Sequence, residues 1–300
     1  MTIDHLPPAS AGSSPPVRSS GGVGGTVTRG LGQLLITAGV VVLLFLVYEV
    51  WVTDLFASQK QAATTEDVDR AWAEAAESQA SQTDTVVVTD PAQLVTDPRQ
   101  RTPTYEALDG QGFGKLSIPA FGPDYQFTLV EGTSDDDLYL GPGHYPESQM
   151  PGQQGNFAVA GHRVSRGAPF NDLGLLMSCD ALIIETQDDW FIYRVLPMAE
   201  EIPTWAATAP TRPLCADVPV LPSPYEKTLG REITLPSDYP QILPVPGVDS
   251  TTVPSDAQRL ITLTTCHPQF SAAQRMIVHG VLTKSYAKAP GFLPPEMGEA

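Results

Sequence analysis

The sequence is poor in positive charge. Its 300 residues include 17 Lys and Arg against 34 Asp and Glu, which gives a formal net charge of −17. A nucleic-acid-binding surface needs clustered Lys and Arg to contact phosphates. The charge balance therefore excludes nucleic acid as the partner. It also predicts that the folded part does not adhere to anionic lipid by charge alone.

Cysteine is scarce as well, with only Cys179, Cys215 and Cys266 in the chain. In an oxidising compartment an odd number leaves at least one thiol unpaired. Two interpretations of Cys179 and Cys215 stay open: a bridge between them, or two reduced and buried thiols.

Paired metal ligands at short spacing are also lacking. Zinc sites usually carry pairs such as C-x-x-C or H-x-x-x-H. A site built from His162, Cys266, His267 and His279 would have only the adjacent Cys266–His267 pair, so we expect neither a metal nor a cofactor.

One long apolar run stands out. Residues 31–52, "LGQLLITAGVVVLLFLVYEVWV", contain a single charge, Glu49. About 20 such residues span a hydrocarbon core of about 30 Å, so we predict a transmembrane signal anchor. A cleaved signal peptide is the alternative, but its apolar region is shorter. Arg18 and Arg29 precede the run, which favours the N-terminus inside and a single-pass plasma-membrane protein with its catalytic domain outside.

Composition divides the rest of the chain. Residues 1–30 are rich in Gly, Ser and Pro and predict a disordered cytoplasmic tail. Residues 53–107 predict an extracytoplasmic linker, partly helical, that lifts the domain off the membrane. Residues 108–287 predict the folded domain, and residues 288–300 a C-terminal tail.

Seven short runs in the folded domain read as strands. They alternate or are apolar, they are rich in Val, Ile, Phe, Tyr and Thr, and Gly, Pro or Asp punctuates them. The runs are "KLSIPAF", "YQFTLVEG", "GNFAVAGH", "ALIIET", "WFIYRVL", "RLITLTTC" and "RMIVHGVL". The pattern predicts an all-β barrel or sandwich with short helices.

Residues 197–258 interrupt this rhythm with a dense set of prolines. Proline disfavours central strands. We therefore predict a long ordered loop or flap, and loops of that length in a compact domain tend to be functional.

Cys266 is the candidate nucleophile. Strand alternation puts it on one face with Thr262 and Thr264, at the end of the run "ITLTTC". An exposed thiol outside the cell is a liability, and nucleophilic catalysis is the usual reason for one.

A thiol nucleophile needs a proton-exchanging partner and a group that stabilises developing charge. His144 and His162 are the candidate bases, and His162 ends a strand much as Cys266 does. Arg275 opens the strand after Cys266, so an eight-residue loop returns the chain to the height of the thiol and brings a guanidinium near it. The alternative is that both residues have no catalytic role: the histidine would be a buried, hydrogen-bonded side chain, and Arg275 a solvated charge at the rim of the barrel.

Together these segments resemble the sortases, the membrane-anchored cysteine transpeptidases of Gram-positive cell surfaces. The matches are "NFAVAGHR", "ITLTTCHP" and "QRMIVHG", supported by "KLSIPAFG", "VEGTSDDDLYLGPGHYPES" and "GAPFNDLGLL". The "TTCHP" and "GHY" forms are most similar to class E sortases of actinobacteria.

The resemblance implies an eight-stranded sortase-type β-barrel with His162, Cys266 and Arg275 as the catalytic residues. It implies cleavage of an LAxTG- or LPxTG-type sorting signal through a thioester, and transfer of the secreted protein to a peptidoglycan-precursor or pilin amine. Tyr145 and Thr265 are the implied substrate contacts. The insert departs from the family pattern, where this connection is shorter and helps to form the substrate groove. A catalytically idle binding module on the same barrel is the alternative function.

Overall fold

The computed structural model describes residues 23–48, 53–80, 90–97 and 110–299. Helix α1, Val23–Val47, belongs to a compact unit of its own. Its Val27–Val47 segment is long and apolar enough to cross a membrane, with a mean hydropathy of 2.4. The predicted apolar helix is thus present and begins before residue 31. The predicted cytoplasmic tail lies outside the described residues up to residue 22.

Helix α2, Thr53–Ala80, belongs to the second unit and packs against it. Ala57 and Val68 are buried on its inner face, and the Thr65 hydroxyl lies 2.6 Å from that of Thr128. A helix was predicted in this region, but as part of a spacer. The spacer interpretation is wrong for this helix, because its small apolar face is covered by the folded domain.

Ten strands lie within the described residues. They are β1 Val95–Thr96, β2 Gly112–Ser117, β3 Gln126–Glu131, β4 Gly143–His144, β5 Gly155–Ala160, β6 Ala181–Glu185, β7 Asp189–Val195, β8 Arg231–Thr234, β9 Arg259–His267 and β10 Gln274–Ala287. Two short helices, α3 Asp137–Leu140 and α4 Trp205–Thr208, and several single 3-10 turns lie between them. Each of the seven predicted runs overlaps one of these strands.

Eight of the strands close into a barrel. The order is β10, β7, β6, β2, β3, β4, β5, β9, and β9 pairs again with β10. The β3–β4 and β5–β9 pairs are parallel, and the others are antiparallel. The interior is apolar, because alternate strand residues point inward, and includes Leu116, Leu129, Phe157, Ile184, Tyr193 and Leu263. The expected eight-stranded barrel is confirmed.

The remaining strands extend β10. Strand β1 pairs with the C-terminal part of β10, and β8 with its N-terminal part. Strand β8 belongs to the proline-rich insert, which was predicted as a long ordered loop or flap without central strands; β8 pairs with β10 alone and is not one of the barrel strands. Its four residues, "REIT", form a proline-free stretch too short for periodicity to reveal.

The insert leaves and rejoins the barrel wall at adjacent points. The Leu196 amide donates to the His279 carbonyl, and the His279 amide donates to the Gly230 carbonyl. Strand β8 therefore continues along β10 where β7 stops. A Cβ at residue 230 would lie 2.1 Å from the Leu196 carbonyl oxygen, so this close approach requires glycine.

A second apolar cluster ties the insert to the barrel. It contains Trp205, Val218, Leu221, Tyr225 and Val245 of the insert with Leu196, Leu260 and Val281 of the wall. The Cys179–Cys215 disulfide lies in the same cluster, so the bridged interpretation is confirmed. The insert is a folded part of the domain.

The C-terminal segment predicted as a tail is docked on the barrel. Glu296 is buried and accepts hydrogen bonds from Lys284 and Tyr286, and Arg194 forms an ion pair with Glu299. These polar contacts hold residues 288–299 against β7 and β10.

Candidate functional site

The register of three neighbouring strands builds the site. Cys266 on β9 pairs directly with Arg275 on β10. Strand β5 runs parallel to β9 with Ala160 opposite Thr264, and the Gly161 amide continues the ladder by donating to the Thr264 carbonyl at 3.0 Å. His162 follows at the level of Cys266. The strands thus bring the thiol, the imidazole and the guanidinium to one rim.

Alternation decides which face these side chains occupy. Leu263 and Met276 point into the barrel core. Cys266 is three positions after Leu263 and Arg275 is one position before Met276, and both separations are odd, so Cys266 and Arg275 lie on the outer face. Strand neighbours on that face are Thr264 and Ala160. Cys266, Thr264 and Ala160 therefore share the outer face of the β5–β9 pair.

Cys266 carries the one free thiol among the three cysteines of the chain and is half-buried. The Arg163 guanidinium braces its main chain: Nη1 lies 3.4 Å from the Cys266 carbonyl oxygen and 2.7 Å from Nδ1 of His267. Since Arg can only donate, Nδ1 of His267 accepts. His267 is therefore bound to Arg163, as expected for a residue other than the partner of the thiol.

The Arg275 guanidinium rests on its own loop. Its Nη1 donates to the carbonyl oxygens of Ala272 and Gln274, both at 3.1 Å. An arginine has five N–H donors, and within the described residues Nη2 and Nε have no partner, so they can donate to an incoming carbonyl oxygen. The strand register sets Arg275 opposite Cys266, and its catalytic role stays a prediction.

Tyr145 contacts the outer face of β9 at Thr264. Its hydroxyl forms a 3.0 Å hydrogen bond with the Thr264 hydroxyl, and Ser148 fixes its main chain by donating to the Tyr145 carbonyl. Burial raises the pKa of the Tyr145 phenol, while the Thr264 hydrogen bond and the Arg275 charge oppose the rise. A negative charge on Cys266 raises the pKa of the phenol as well, so the phenol is within electrostatic reach of both Arg275 and Cys266.

Thr265 occupies a different position from Tyr145. It is buried on the interior face, and its hydroxyl donates to the Gly161 carbonyl at 2.7 Å. This bond holds the end of β5 against β9. Thr265 therefore positions His162 through the main chain, and a substrate contact by Thr265 stays a prediction.

His144, the other candidate base, is fully engaged elsewhere. Its Nδ1 lies 2.8 Å from a Glu131 carboxylate oxygen, and its Nε2 contacts the Gln149 carbonyl and the Ser148 hydroxyl. The ring is buried and stacks on Phe157. His144 orders the Tyr145 segment and has no free nitrogen for the thiol.

His162 is the half-buried histidine at the rim. Burial lowers the pKa of its imidazole, and the Arg166 cation lowers it further, while Asp135 opposes them. The Arg166 Nη1 atom lies 3.3 Å from His162 Nε2. Sequence reasoning missed Arg166. Its charge was visible, but only the folded turn of residues 163–168 directs it back to the histidine.

Metal ligands do not converge here. In the parts of the chain that the structure describes, no three His, Cys, Asp or Glu side chains lie together so that they could hold an ion. His279 is buried deep beneath the insert, where burial lowers the pKa of its imidazole to about 3. Its Nδ1 lies 2.8 Å from the Thr262 hydroxyl.

A closed barrel with a free thiol, an imidazole and a guanidinium on one rim has the features of a barrel-type cysteine acyltransferase. The chain belongs to the sortase family, whose members are cysteine transpeptidases: the family model described as Sortase domain matches residues 116–283.

Relatives with known names support this assignment. The chain is similar to sortase SrtE1 of Streptomyces coelicolor, with 30% identity over 271 residues, covering 88% of this chain but only 59% of that protein. It is 27% identical to sortase SrtE2 of the same organism over 286 residues, covering 93% of this chain and 91% of that protein. The resemblance to class E sortases is confirmed.

A solved structure shares the fold. The SrtF sortase from Corynebacterium diphtheriae is 42% identical, with a TM-score of 0.58, and the match covers 68% of this chain and 99% of that one. The match excludes about a third of this chain.

Proposed function

We propose that the protein is a membrane-anchored sortase transpeptidase. It cleaves a C-terminal LAxTG- or LPxTG-type sorting signal between Thr and Gly and transfers the secreted protein to a cell-wall amine. The observation that carries the proposal is the strand register, which sets Cys266 opposite Arg275 and ends β5 at Ala160, two residues before His162. Family membership supports it independently.

The first half-reaction forms a thioester. The Cys266 thiolate attacks the threonine carbonyl carbon, and the tetrahedral intermediate collapses with cleavage of the Thr–Gly C–N bond. The His162 imidazolium gives its proton to the departing glycine amine and becomes neutral. The acyl group is then held on sulfur.

The second half-reaction reverses the roles. An amine acceptor attacks the thioester carbonyl, the C–S bond breaks, and the sulfur leaves as thiolate. His162 takes the proton that the amine loses. Such an amine is supplied by either a peptidoglycan precursor or a pilin lysine. We assign the recess of about 540 Å³ that is lined in part by His267, Arg163 and Arg231 as the path by which the acceptor amine reaches the thioester.

Arg275 stabilises the oxyanion in both half-reactions. A guanidinium donor aimed at the developing negative charge is worth several kcal/mol in a partly desolvated site, about 2.7–4 kcal/mol by analogy with other oxyanion donors. The donors of Arg275 outside its loop contacts are available for this task.

Tyr145 is the residue that we assign to signal preference. Its hydroxyl is bound to Thr264, two residues before Cys266, and its main-chain carbonyl to the Ser148 hydroxyl. A large ring held at this point would narrow the path on which we expect the sorting signal to bind, which supports the preference for LAxTG over LPxTG that the class E resemblance implies. The insert adds Glu232 and Thr234 on the outer face of β8, beside Ile277 and Arg275, and we assign it a role in specificity as well.

The anchor completes the proposed arrangement. Helix α1 spans the plasma membrane once, with the N-terminus in the cytoplasm and the barrel outside. This topology matches the basic residues Arg18 and Arg29 before the span and the disulfide in the barrel, which forms in oxidising compartments.

The decisive experiment follows the acyl-enzyme. Full-length protein in detergent is incubated with an LAxTG peptide without an amine acceptor, and intact mass spectrometry is used to detect the peptide acyl group on Cys266. Cys266→Ala is expected to abolish the adduct and to reduce transpeptidation by about 10³-fold or more. Unchanged transpeptidation in this variant would refute the proposed function.

Alkylation provides an independent check. Since Cys179 and Cys215 are joined, iodoacetamide has a single thiol to modify, and we expect one carbamidomethyl group on Cys266 together with loss of activity. Modification of Cys179 or Cys215 in the native, unreduced protein contradicts the assignment.

A further inference from the structure

The turn after His162 is held in an unfavourable backbone conformation. Ser165, Arg166 and Ala168 have positive φ angles of 56°, 53° and 38°, beside Gly167 at 78°. Each non-glycine residue in this region costs about 1 kcal/mol or more. Within the turn, the Ala168 amide donates to the Ser165 carbonyl, which is too little to impose the conformation alone.

Helix α2 supplies the missing restraint. The Gly167 amide donates to the Asp54 carboxylate at 3.0 Å, and the Gln61 amide donates to the Arg166 carbonyl at 3.3 Å. A Cβ on Gly167 would lie 2.9 Å from the Gln61 side chain. The helix thus packs directly on the turn, and its amide and carboxylate groups bind the turn's main chain.

The same packing aims the Arg166 side chain. Its guanidinium lies over the Tyr139 ring, 4.5 Å from the ring centroid, and Lys60 of α2 lies 5.0 Å from the same centroid. Asp135 is 3.8 Å from Arg166 Nη1. With these contacts fixed, Nη1 reaches His162 Nε2 at 3.3 Å.

This contact determines where the His162 proton is. Arginine has donors only and stays charged, so Nε2 of His162 must be the acceptor and carries no proton. A neutral imidazole has one N–H, which is then on Nδ1. Among the described residues Nδ1 has no hydrogen-bond partner.

The resting form cannot take a proton from the thiol. Nδ1 of His162 is already protonated, and Nε2 is covered by a cation. The reaction nevertheless requires an imidazolium at His162 beside a thiolate at Cys266. The guanidinium therefore has to leave Nε2 before the proton can move from sulfur to the ring.

We propose that Arg166 is a positioning residue that keeps His162 in its neutral Nδ1–H form, and that α2, the helix following the membrane anchor, holds it there. The proposal rests on the proposed function of His162. Release of α2 from the 165–168 turn frees Nε2 and lets the thiolate–imidazolium pair form. The charged groups that act on the His162 ring are Arg166 and Asp135. From α2, Asp54 accepts the Gly167 amide of the turn, and Lys60 shares the Tyr139 ring with Arg166.

The first test reads the tautomer directly. Full-length protein in detergent with ¹⁵N-labelled histidine is titrated by NMR, and the His162 signal is assigned with His162→Gln. We expect the wild type to carry its proton on Nδ1. Arg166→Ala should raise the His162 pKa and move the proton toward Nε2, the tautomer that free histidine prefers.

Variants of the helix separate the restraint from the charge. Gln61→Ala removes a contact of α2 with the turn but keeps the Arg166 cation. It should shift the His162 signals in the same direction as Arg166→Ala does, by a smaller amount. Arg70→Ala is the matched control, because Arg70 is an exposed residue of α2 that pairs only locally with Asp67. A wild-type Nε2–H tautomer, or a His162 pKa that is the same with and without Arg166, overturns the proposal.

The reactivity of the Cys266 thiol tests the functional consequence of the Arg166–His162 contact. The rate of Cys266 alkylation by iodoacetamide is measured against pH, and Arg166→Ala should react about three- to tenfold faster near neutral pH, since one pKa unit is a tenfold change in population. The limb of the kcat/KM profile that follows His162 should move to higher pH. An unchanged or slower alkylation in Arg166→Ala contradicts the proposal.

The outcomes separate the two hypotheses. Full activity in Cys266→Ala sinks the proposed function but leaves the NMR tautomer result standing. An inactive Cys266→Ala with an Nε2–H wild type keeps the proposed function and removes the role of Arg166. Arg166→Lys, which keeps a cation but not the planar fork, should retain part of the restraint.

Discussion

The Cys179–Cys215 disulfide should contribute about 4 kcal/mol to the stability of the barrel. The two residues are 36 positions apart, and closing a loop of this length removes about 13 cal/mol/K of entropy from the unfolded chain, or about 4 kcal/mol at 25 °C. Both side chains are buried, so alanine also leaves a small cavity. We expect the double variant Cys179→Ala/Cys215→Ala to lose about 3–5 kcal/mol.

The measurement is thermal unfolding of the full chain in detergent, followed by tryptophan fluorescence with and without reductant. For a domain of this size, that loss corresponds to a Tm about 6–20 °C lower. Reductant should lower the Tm of the wild type toward that of the variant and leave the variant unchanged. Cys266→Ala is the matched control, with an expected change within about 0.5 kcal/mol. A double variant as stable as the wild type would refute the reasoning.

Three further predictions use the same preparation. Gly230→Ala should lose about 2 kcal/mol or more in thermal unfolding, because its Cβ would meet the Leu196 carbonyl at 2.1 Å; an unchanged Tm contradicts this. Tyr145→Phe should keep the fold but raise KM for an LAxTG peptide several-fold through loss of the hydrogen bond to Thr264, worth about 1 kcal/mol; equal KM values argue against the assignment. His279 has a folded-state pKa of about 3 against an ordinary value of 6.5, so the unfolded state takes up the proton first, and stability present above pH 6.5 is lost as pH falls. We expect His279 to account for about 2 kcal/mol of loss between pH 7 and pH 5, a loss that His279→Gln should lack in a pH series of melts.

Local patterns predicted much of the barrel. Runs of β-branched and aromatic residues located seven strands, because burial on one or both faces leaves a direct mark on a five- to eight-residue run. The height of Arg275 relative to Cys266 followed from an eight-residue loop between antiparallel strands, and the register agrees with it. These predictions needed only neighbouring elements.

Features that depend on distant contacts were missed. Strand β8 is visible only as a partner of β10, since its four residues carry no period of their own. The sequence of helix α2 is typical of a polar spacer. Its packing depends on barrel residues that are distant in sequence: Thr65 contacts Thr128, and Asp69 forms an ion pair with Lys115. In the sequence, Arg166 is indistinguishable from other loop arginines. Its contact with His162 depends on the conformation of the 165–168 turn, which is bound by Asp54 and Gln61 of α2.

The insert also stabilises the strands that carry the site residues, through a buried row of polar side chains. Asn156 on β5, Thr262 on β9 and His279 on β10 are linked by hydrogen bonds on the same outer face as Cys266. Gln241 and Leu243 of the insert cover this row, and the Asn156 amide donates to both of their carbonyl oxygens.

Buried polar groups tolerate few alternative pairings, because each lost hydrogen bond costs about 1–3 kcal/mol. A one-residue slip of β9 would turn Thr262 inward and break the row, and it would also turn Cys266 into the barrel. The covered row therefore specifies the register that brings the thiol to the rim beside Arg275. Deleting the insert would expose this row along with the second apolar cluster, so its effect on specificity has to be tested by single substitutions on β8 that leave the row in place.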